Sequence, residues 1–283
     1  MRILLAGRNG QVGWELERAL VRLGEVVATD RDSLDLADFD AIRRVVREAK
    51  PGLIVNAAAY AAVDKAESEP ELAMRVNGEA PGVLAEEAKR LGALLVHYST
   101  DYVFDGTKRT PYREDDVPNP LSVYGKSKLQ GEESVRAAGC RHLILRTGWV
   151  YAGRGRNFLL TILRKAKEGA PVRVVADQLG APTGARDVAA LTADVLGCDA
   201  PPVGIFHAAA SGETSWHGFA SAILELAGLP ATVEAIPTSE YPTPARRPGY
   251  SVLDSSRLPR ETGVRPIGPW RERLAALLAE MKP

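Results

Sequence analysis

The sequence predicts an α/β protein built on a doubly wound parallel sheet, with a smaller C-terminal unit packed over the sheet's ligand edge. Three observations carry that prediction. Short apolar runs alternate with helix-patterned segments through the first half, as in a parallel sheet with helices on both faces. A glycine-rich turn, Gly7-Arg8-Asn9-Gly10-Gln11-Val12-Gly13, joins the first apolar run to the first helix. Tyr124 and Lys128 stand four residues apart in one helical stretch, a spacing that puts both on one face.

Each element follows from its local pattern. The apolar runs at 2–6, 25–29, 53–56, 93–98 and 142–146 read as strands. Helices are expected near 12–23, 38–49, 71–92 and 122–138, and Pro70 suits a helix start because its missing N–H costs nothing there. After residue 150 the strands shorten and prolines gather at 230–248 and 259–269. Residues 1–150 therefore read as a Rossmann-type dinucleotide-binding domain. Residues 151–283 read mainly as a substrate domain, with some segments returning to the first.

The glycine turn has a chemical reason. Gly7 permits a tight turn, Gly10 lets the backbone approach a pyrophosphate, and Gly13 allows close helix–strand packing. The spacing is Gly-x-x-Gly-x-x-Gly. Asp30 ends the second strand, where a carboxylate can take the ribose hydroxyls of an adenosine. Small residues follow the third strand at Ala57, Ala58 and Ala59, leaving room for a ligand.

A free tyrosine has a pKa of about 10, and a nearby ammonium draws it toward neutrality. Tyr124 with Lys128 is thus a candidate proton donor.

Composition narrows the classes. Formal net charge is zero, from 36 basic and 36 acidic residues without a basic tail, which argues against nucleic-acid binding. No apolar run spans a membrane and the chain opens on a strand, so a cytoplasmic location is expected. Cys140 and Cys198 are isolated, as suits a reducing compartment, and the four histidines show no ligand spacing.

Gly7, Gly10, Gly13, Asp30, Thr100, Tyr124 and Lys128, in that order, resemble the extended short-chain dehydrogenase/reductases. Further blocks resemble the dTDP-4-dehydrorhamnose reductase family: VDKAESEPE at 63–71, STDYVFDG at 99–106, YGKSK at 124–128, RTGWVYAG at 146–153, DQLGAPTG at 177–184 and YPTPARRP at 241–248. The resemblance implies NADPH- or NADH-dependent reduction of the C4 ketone of a dTDP-sugar, with Thr100, Tyr124 and Lys128 as the catalytic triad. It implies further dinucleotide contacts at Asp35, Leu36, Tyr60, Ala61 and Tyr98, beside Gln11, Val12, Ala57 and Ala59. It assigns substrate contacts to Thr100, Asp101 and Trp149, with Asn157, Gln178 and Arg247 as further candidates, Arg247 for the diphosphate.

Two points depart from a simple transfer. Asp30 favours NADH, whereas Arg8 and Arg31 favour a 2′-phosphate; dual use with a modest preference for NADPH is expected. Some family members form Mg²⁺-linked dimers through three glutamates. Glu15 and Glu280 match two of them, but Arg186 takes the third place. A cation there opposes a metal, so no essential Mg²⁺ is expected, while a homodimer stays open. Two other readings share the fold. A dehydratase of this family carries Asp-Glu where Asp101-Tyr102 stands here. A non-catalytic NADP(H)-binding regulator is the other.

Overall fold

Ile3, Leu4 and Leu5 are all fully buried, although successive side chains on a strand face opposite ways. The first strand is therefore covered on both faces, as a parallel sheet requires. The computed structural model describes residues 1–169 and 171–281. Six strands form the main sheet: β1 (Arg2–Ala6), β2 (Glu25–Thr29), β3 (Leu53–Asn56), β4 (Leu94–Thr100), β5 (His142–Thr147) and β6 (Gly204–His207). They are parallel and ordered β2-β1-β3-β4-β5-β6. The direction of winding reverses between β1 and β3, which opens a ligand crevice at their C-terminal ends.

One face of the sheet packs Leu5, Val55, Val96 and Leu145 against Leu16, Leu20, Val188 and Leu191. The other packs Leu4, Ile54, Leu95 and Ile144 against Ile42, Val46, Leu84 and Val135. The helix Gln11–Ala19 is shorter than the expected 12–23, because the chain tightens into a 3₁₀ turn over Leu20–Arg22. The expected helix 71–92 is one rod interrupted by a π turn: Pro70–Met74, Arg75–Glu79, then Ala80–Leu91. Asp38 caps the helix Phe39–Ala49 by accepting from the N–H groups of Asp40 and Ala41.

Later segments come back to this sheet. Helix Ala185–Leu196 places Val188 and Leu191 in the core with Leu16, and β6 extends the sheet beside β5. Leu258 and Ile267 join the same core. A separate core gathers Tyr151, Leu159, Phe219, Ile223, Leu274 and Leu278. It is covered by a parallel strand pair, Val172–Val175 with Val233–Ile236. Among the described residues, no helix is long and apolar enough to cross a membrane.

Candidate active site

The glycine turn is fixed by backbone geometry. Gly7 has φ of 91°, a left-handed value that favours glycine. A Cβ there would lie 2.6 Å from the Ala58 nitrogen, and one at Gly13 would lie 2.0 Å from the Gly7 carbonyl oxygen. Strand, turn and helix thus meet too closely for any side chain. The helix Gln11–Ala19 has no side-chain cap, which leaves its first N–H groups available to an anion.

A cavity of about 460 Å³ opens above this turn, along the C-terminal ends of β1, β3 and β4. Gly7, Gly10, Gln11, Val12, Asp30, Asp35, Leu36, Ala57, Ala59, Tyr60, Ala61, Tyr98, Tyr124 and Lys128 line it. Of the expected dinucleotide residues only Gly13 lies off the wall, packed beneath Gly7. Asp30 accepts from Ser33 Oγ at 2.8 Å and from Asn9 Nδ2 at 3.3 Å, and these bonds hold its carboxyl below the usual range. Arg8 is turned to Glu17 at 2.7 Å, whereas Arg31 stays on the rim, 3.5 Å from Asp35.

A second cavity of about 310 Å³ adjoins the first. Both are lined by Gln11, Ala61, Ser99, Tyr124, Thr147 and Val150. Thr100, Asp101, Trp149 and Asn157 lie on the second wall, with Tyr102, Phe158 and Trp216. The buried hydroxyls of Ser99 and Thr147 have no protein partner and sit where the cavities meet. Unpaired buried polar groups of this kind suit a polar ligand. The glycine cradle and these hydroxyls fit a dinucleotide whose reactive end reaches the junction.

Tyr124 enters the junction from the first turn of helix Val123–Ala138, whose N-terminus Ser122 caps by accepting from the Gly125 N–H. Burial pushes the Tyr124 phenol up to about 12, with the Thr100 hydroxyl pulling the other way. Burial thus keeps Tyr124 protonated near neutrality. Lys128, one turn on, is 2% exposed. Burial pushes its amine down to about 8, against the opposing charge of Glu132. Its Nζ lies 3.3 Å from His97 Nε2. Thr100 Oγ1 donates to Asp101 Oδ1 at 3.0 Å and accepts from the Tyr102 N–H at 3.1 Å. Burial raises the Asp101 carboxyl to about 6.

Several residues at this junction escape a sequence reading. Asn77, on the π turn, clasps the Tyr60 backbone at 2.8 and 3.0 Å and donates to Ser127 Oγ at 3.0 Å. It ties the cofactor-side loop to the helix of Tyr124 and Lys128. π turns recur at such sites, but no local pattern announces this one. Trp216 lies flat against Trp149; its partner is 67 residues upstream in the chain, roughly beyond any helical or strand periodicity.

Two expected substrate residues stand apart. Gln178 is buried and donates to Thr238 Oγ1 at 3.1 Å, off both cavity walls. Its amide is already engaged by that loop. Arg247 also misses both walls; Asp64 holds its guanidinium at 2.8 Å. Asn157 lines the second cavity, and it caps helix Phe158–Lys167 and donates to Gln11 Oε1 at 2.9 Å. On the outer surface Arg186 pairs with Glu280 at 2.6 Å in the same chain. Among the described residues, no three His, Cys, Asp or Glu side chains gather to hold a metal.

The family model described as the RmlD substrate binding domain matches residues 1–282. The dTDP-4-dehydrorhamnose reductase of Burkholderia thailandensis is 50% identical, over 96% of this chain and 96% of its own. A structure of the enzyme of that name from Clostridium acetobutylicum superposes with a TM-score of 0.94 at 39% identity, covering 99% of both chains. Another, from Bacillus anthracis in complex with NADP, gives 0.94 at 34% identity over 99% of both chains. With the glycine cradle, the Thr100–Tyr124–Lys128 junction and these full-length matches together, the chain belongs to the dTDP-4-dehydrorhamnose reductase family.

Proposed function

We propose that this protein reduces the C4 ketone of dTDP-4-dehydro-β-L-rhamnose to dTDP-β-L-rhamnose, with NADPH or NADH as reductant. One observation carries the reading: Tyr124 stands on the shared wall of a glycine-cradled cavity and a second, aromatic-walled one. A donor there can serve a ketone in one cavity and a dinucleotide in the other.

The reduced nicotinamide, when bound, supplies the hydride to the ketone carbon. As charge grows on the carbonyl oxygen, Tyr124 gives it a proton. A phenol raised to about 12 is fully protonated before that step. Thr100 hydrogen-bonds the same oxygen and fixes its position. Lys128 holds the nicotinamide ribose and tunes Tyr124. Trp149 and Trp216 give the deoxysugar an apolar wall. Gln178, engaged by Thr238, is left without a role. Arg247, paired with Asp64, bears on Tyr102 as a neighbouring positive charge.

Cofactor preference rests on the rim. Asp30 resists a 2′-phosphate, and Arg31 beside it, on the rim and paired with Asp35 at 3.5 Å, is the cation that accepts one, since Arg8 is taken by Glu17. Use of both cofactors with a modest preference for NADPH follows.

Purified protein mixed with the keto-sugar and either cofactor decides the matter. Sustained loss of reduced-nicotinamide absorbance, with dTDP-β-L-rhamnose as product, is expected, and the Michaelis constants rank the cofactors. Substrate conversion with no net cofactor consumption points to an epimerase or dehydratase instead. Cofactor binding with no conversion of any sugar nucleotide points to a regulator.

A further inference from the structure

Beneath the Tyr124–Lys128 pair lies a chain of three buried polar side chains from three different elements. Asn56 ends β3, His97 is its register partner on β4, and Lys128 reaches down from its helix. Their exposures are 1%, 0% and 2%. Asn56 and His97 line neither cavity.

We propose that Asn56 and His97 are positioning residues: Asn56 fixes the tautomer of His97, and His97 in turn fixes the place and the hydrogen-bonded form of the Lys128 amine. The proposal rests on reading Lys128 as the lysine of the reducing site.

The hydrogen-bond geometry sets the direction. Asn56 Oδ1 accepts from the Ala58 N–H at 3.2 Å. Its Nδ2 is thereby turned to His97 Nδ1, also at 3.2 Å. An amide N–H pointing at Nδ1 needs a lone pair there. In a neutral imidazole the proton then sits on Nε2. Complete burial holds the His97 pKa well below its usual value, so the ring is neutral. Nε2–H therefore faces Lys128 Nζ at 3.3 Å.

A neutral amine accepts that bond through its lone pair, whereas an ammonium has donors only. The arrangement favours the neutral amine, in the same direction as the burial of Lys128. Holding the ammonium instead requires the ring proton to move to Nδ1 and the Asn56 amide to turn over. The Ala58 N–H then loses its acceptor, and Ala58 lines the cofactor cavity. The charge on Lys128 is thus linked to the cofactor wall through two side chains. The other ionisable groups bearing on this amine are Tyr124 and Glu132 on its own helix. Glu132 is itself held by Arg146 from β5 at 2.7 Å. Asn77, from the neighbouring helix, is uncharged.

The decisive measurement is nitrogen-15 NMR of the four imidazoles at pH 9, with the pH dependence of kcat/KM followed alongside. His97 is expected to carry its proton on Nε2. Asn56→Asp keeps an acceptor for Ala58 and adds one for Nδ1–H, so it should reverse the tautomer. Nε2 then accepts from the ammonium, and the Lys128-linked inflection should move up by about one pH unit or more. A wild-type ring protonated on Nδ1 overturns the proposal, as does an unmoved inflection in Asn56→Asp. Should that variant fail to fold, the wild-type tautomer alone decides. The tautomer needs no substrate, so failure of the reductase reading would leave this result separately legible.

Discussion

Trp149 and Trp216 stack face to face, with ring centroids 3.6 Å apart and planes within 4° of parallel. Trp149 takes φ of 50° to do so, a strained value for a bulky residue, and Gly180 leaves room for its ring. The pair closes one side of the second cavity. Stacked aromatic pairs contribute roughly 0.5–1.5 kcal/mol beyond the area they bury. Trp216→Ala is therefore expected to raise KM for the sugar nucleotide about tenfold while leaving the dinucleotide dissociation constant unchanged. Steady-state kinetics and cofactor titration check both halves.

Tyr124→Phe removes the proton donor and little else, since the ring keeps its packing. Turnover should fall by about 10²–10⁴-fold, the usual contribution of general acid catalysis. Cofactor binding followed by fluorescence should persist. Near-normal turnover would remove Tyr124 from its role.

Asp101 is 3% exposed, and burial raises its carboxyl from 3.8 to about 6. The folded state therefore binds a proton more tightly than the unfolded chain. That stabilisation is complete below pH 4 and is lost as pH rises through 6, with one pKa unit worth about 1.4 kcal/mol. Asp101→Asn should consequently match the wild type near pH 4 and exceed its stability near pH 7. Urea midpoints at the two pH values test the sign. A variant less stable at pH 7 would show that the ionised carboxylate is better solvated by its neighbours than burial implies.

Arg186 fills the surface position between Glu280 and the nearby charge of Glu15. Its guanidinium already neutralises carboxylate charge there, and a dication would meet it at short range. Chelation with EDTA should leave turnover unchanged. Activity lost to EDTA and restored by Mg²⁺ would contradict this account.

The parts legible in the sequence are those written by local chemistry. The runs at 2–6 and 25–29 become strands with those bounds: Ile3–Ala6 are buried on both faces, as a central parallel strand requires, and the apolar run at 26–28 pairs beside them at the sheet edge. The glycine turn is legible because backbones that nearly touch exclude any Cβ. Spacing and resemblance single out Tyr124, Lys128 and Thr100; Tyr124 lines both cavities, Lys128 the first and Thr100 the second. Asn77, His97 and Trp216 carry no such signal, because each takes its meaning from an element it meets only after folding. The protonation of Tyr124 is hard to read from sequence for a related reason. Spacing reveals which charges are neighbours, while burial, which dominates here, depends on everything packed around them. Gln178 and Arg247 fell in distinctive motifs, yet intramolecular partners hold both off the cavity walls.

The chain leaves the main sheet after β5, returns with helix Ala185–Leu196 and β6, departs again, and comes back to seat Leu258 and Ile267. It finally exits through helix Trp270–Glu280 into the other core. Two bodies joined by one thread can swing apart like a door. These are stitched by repeated passes, so no single peptide bond serves as their hinge. A cut near residue 150 would leave a sheet with a raw edge at β5, not an independent nucleotide-binding module.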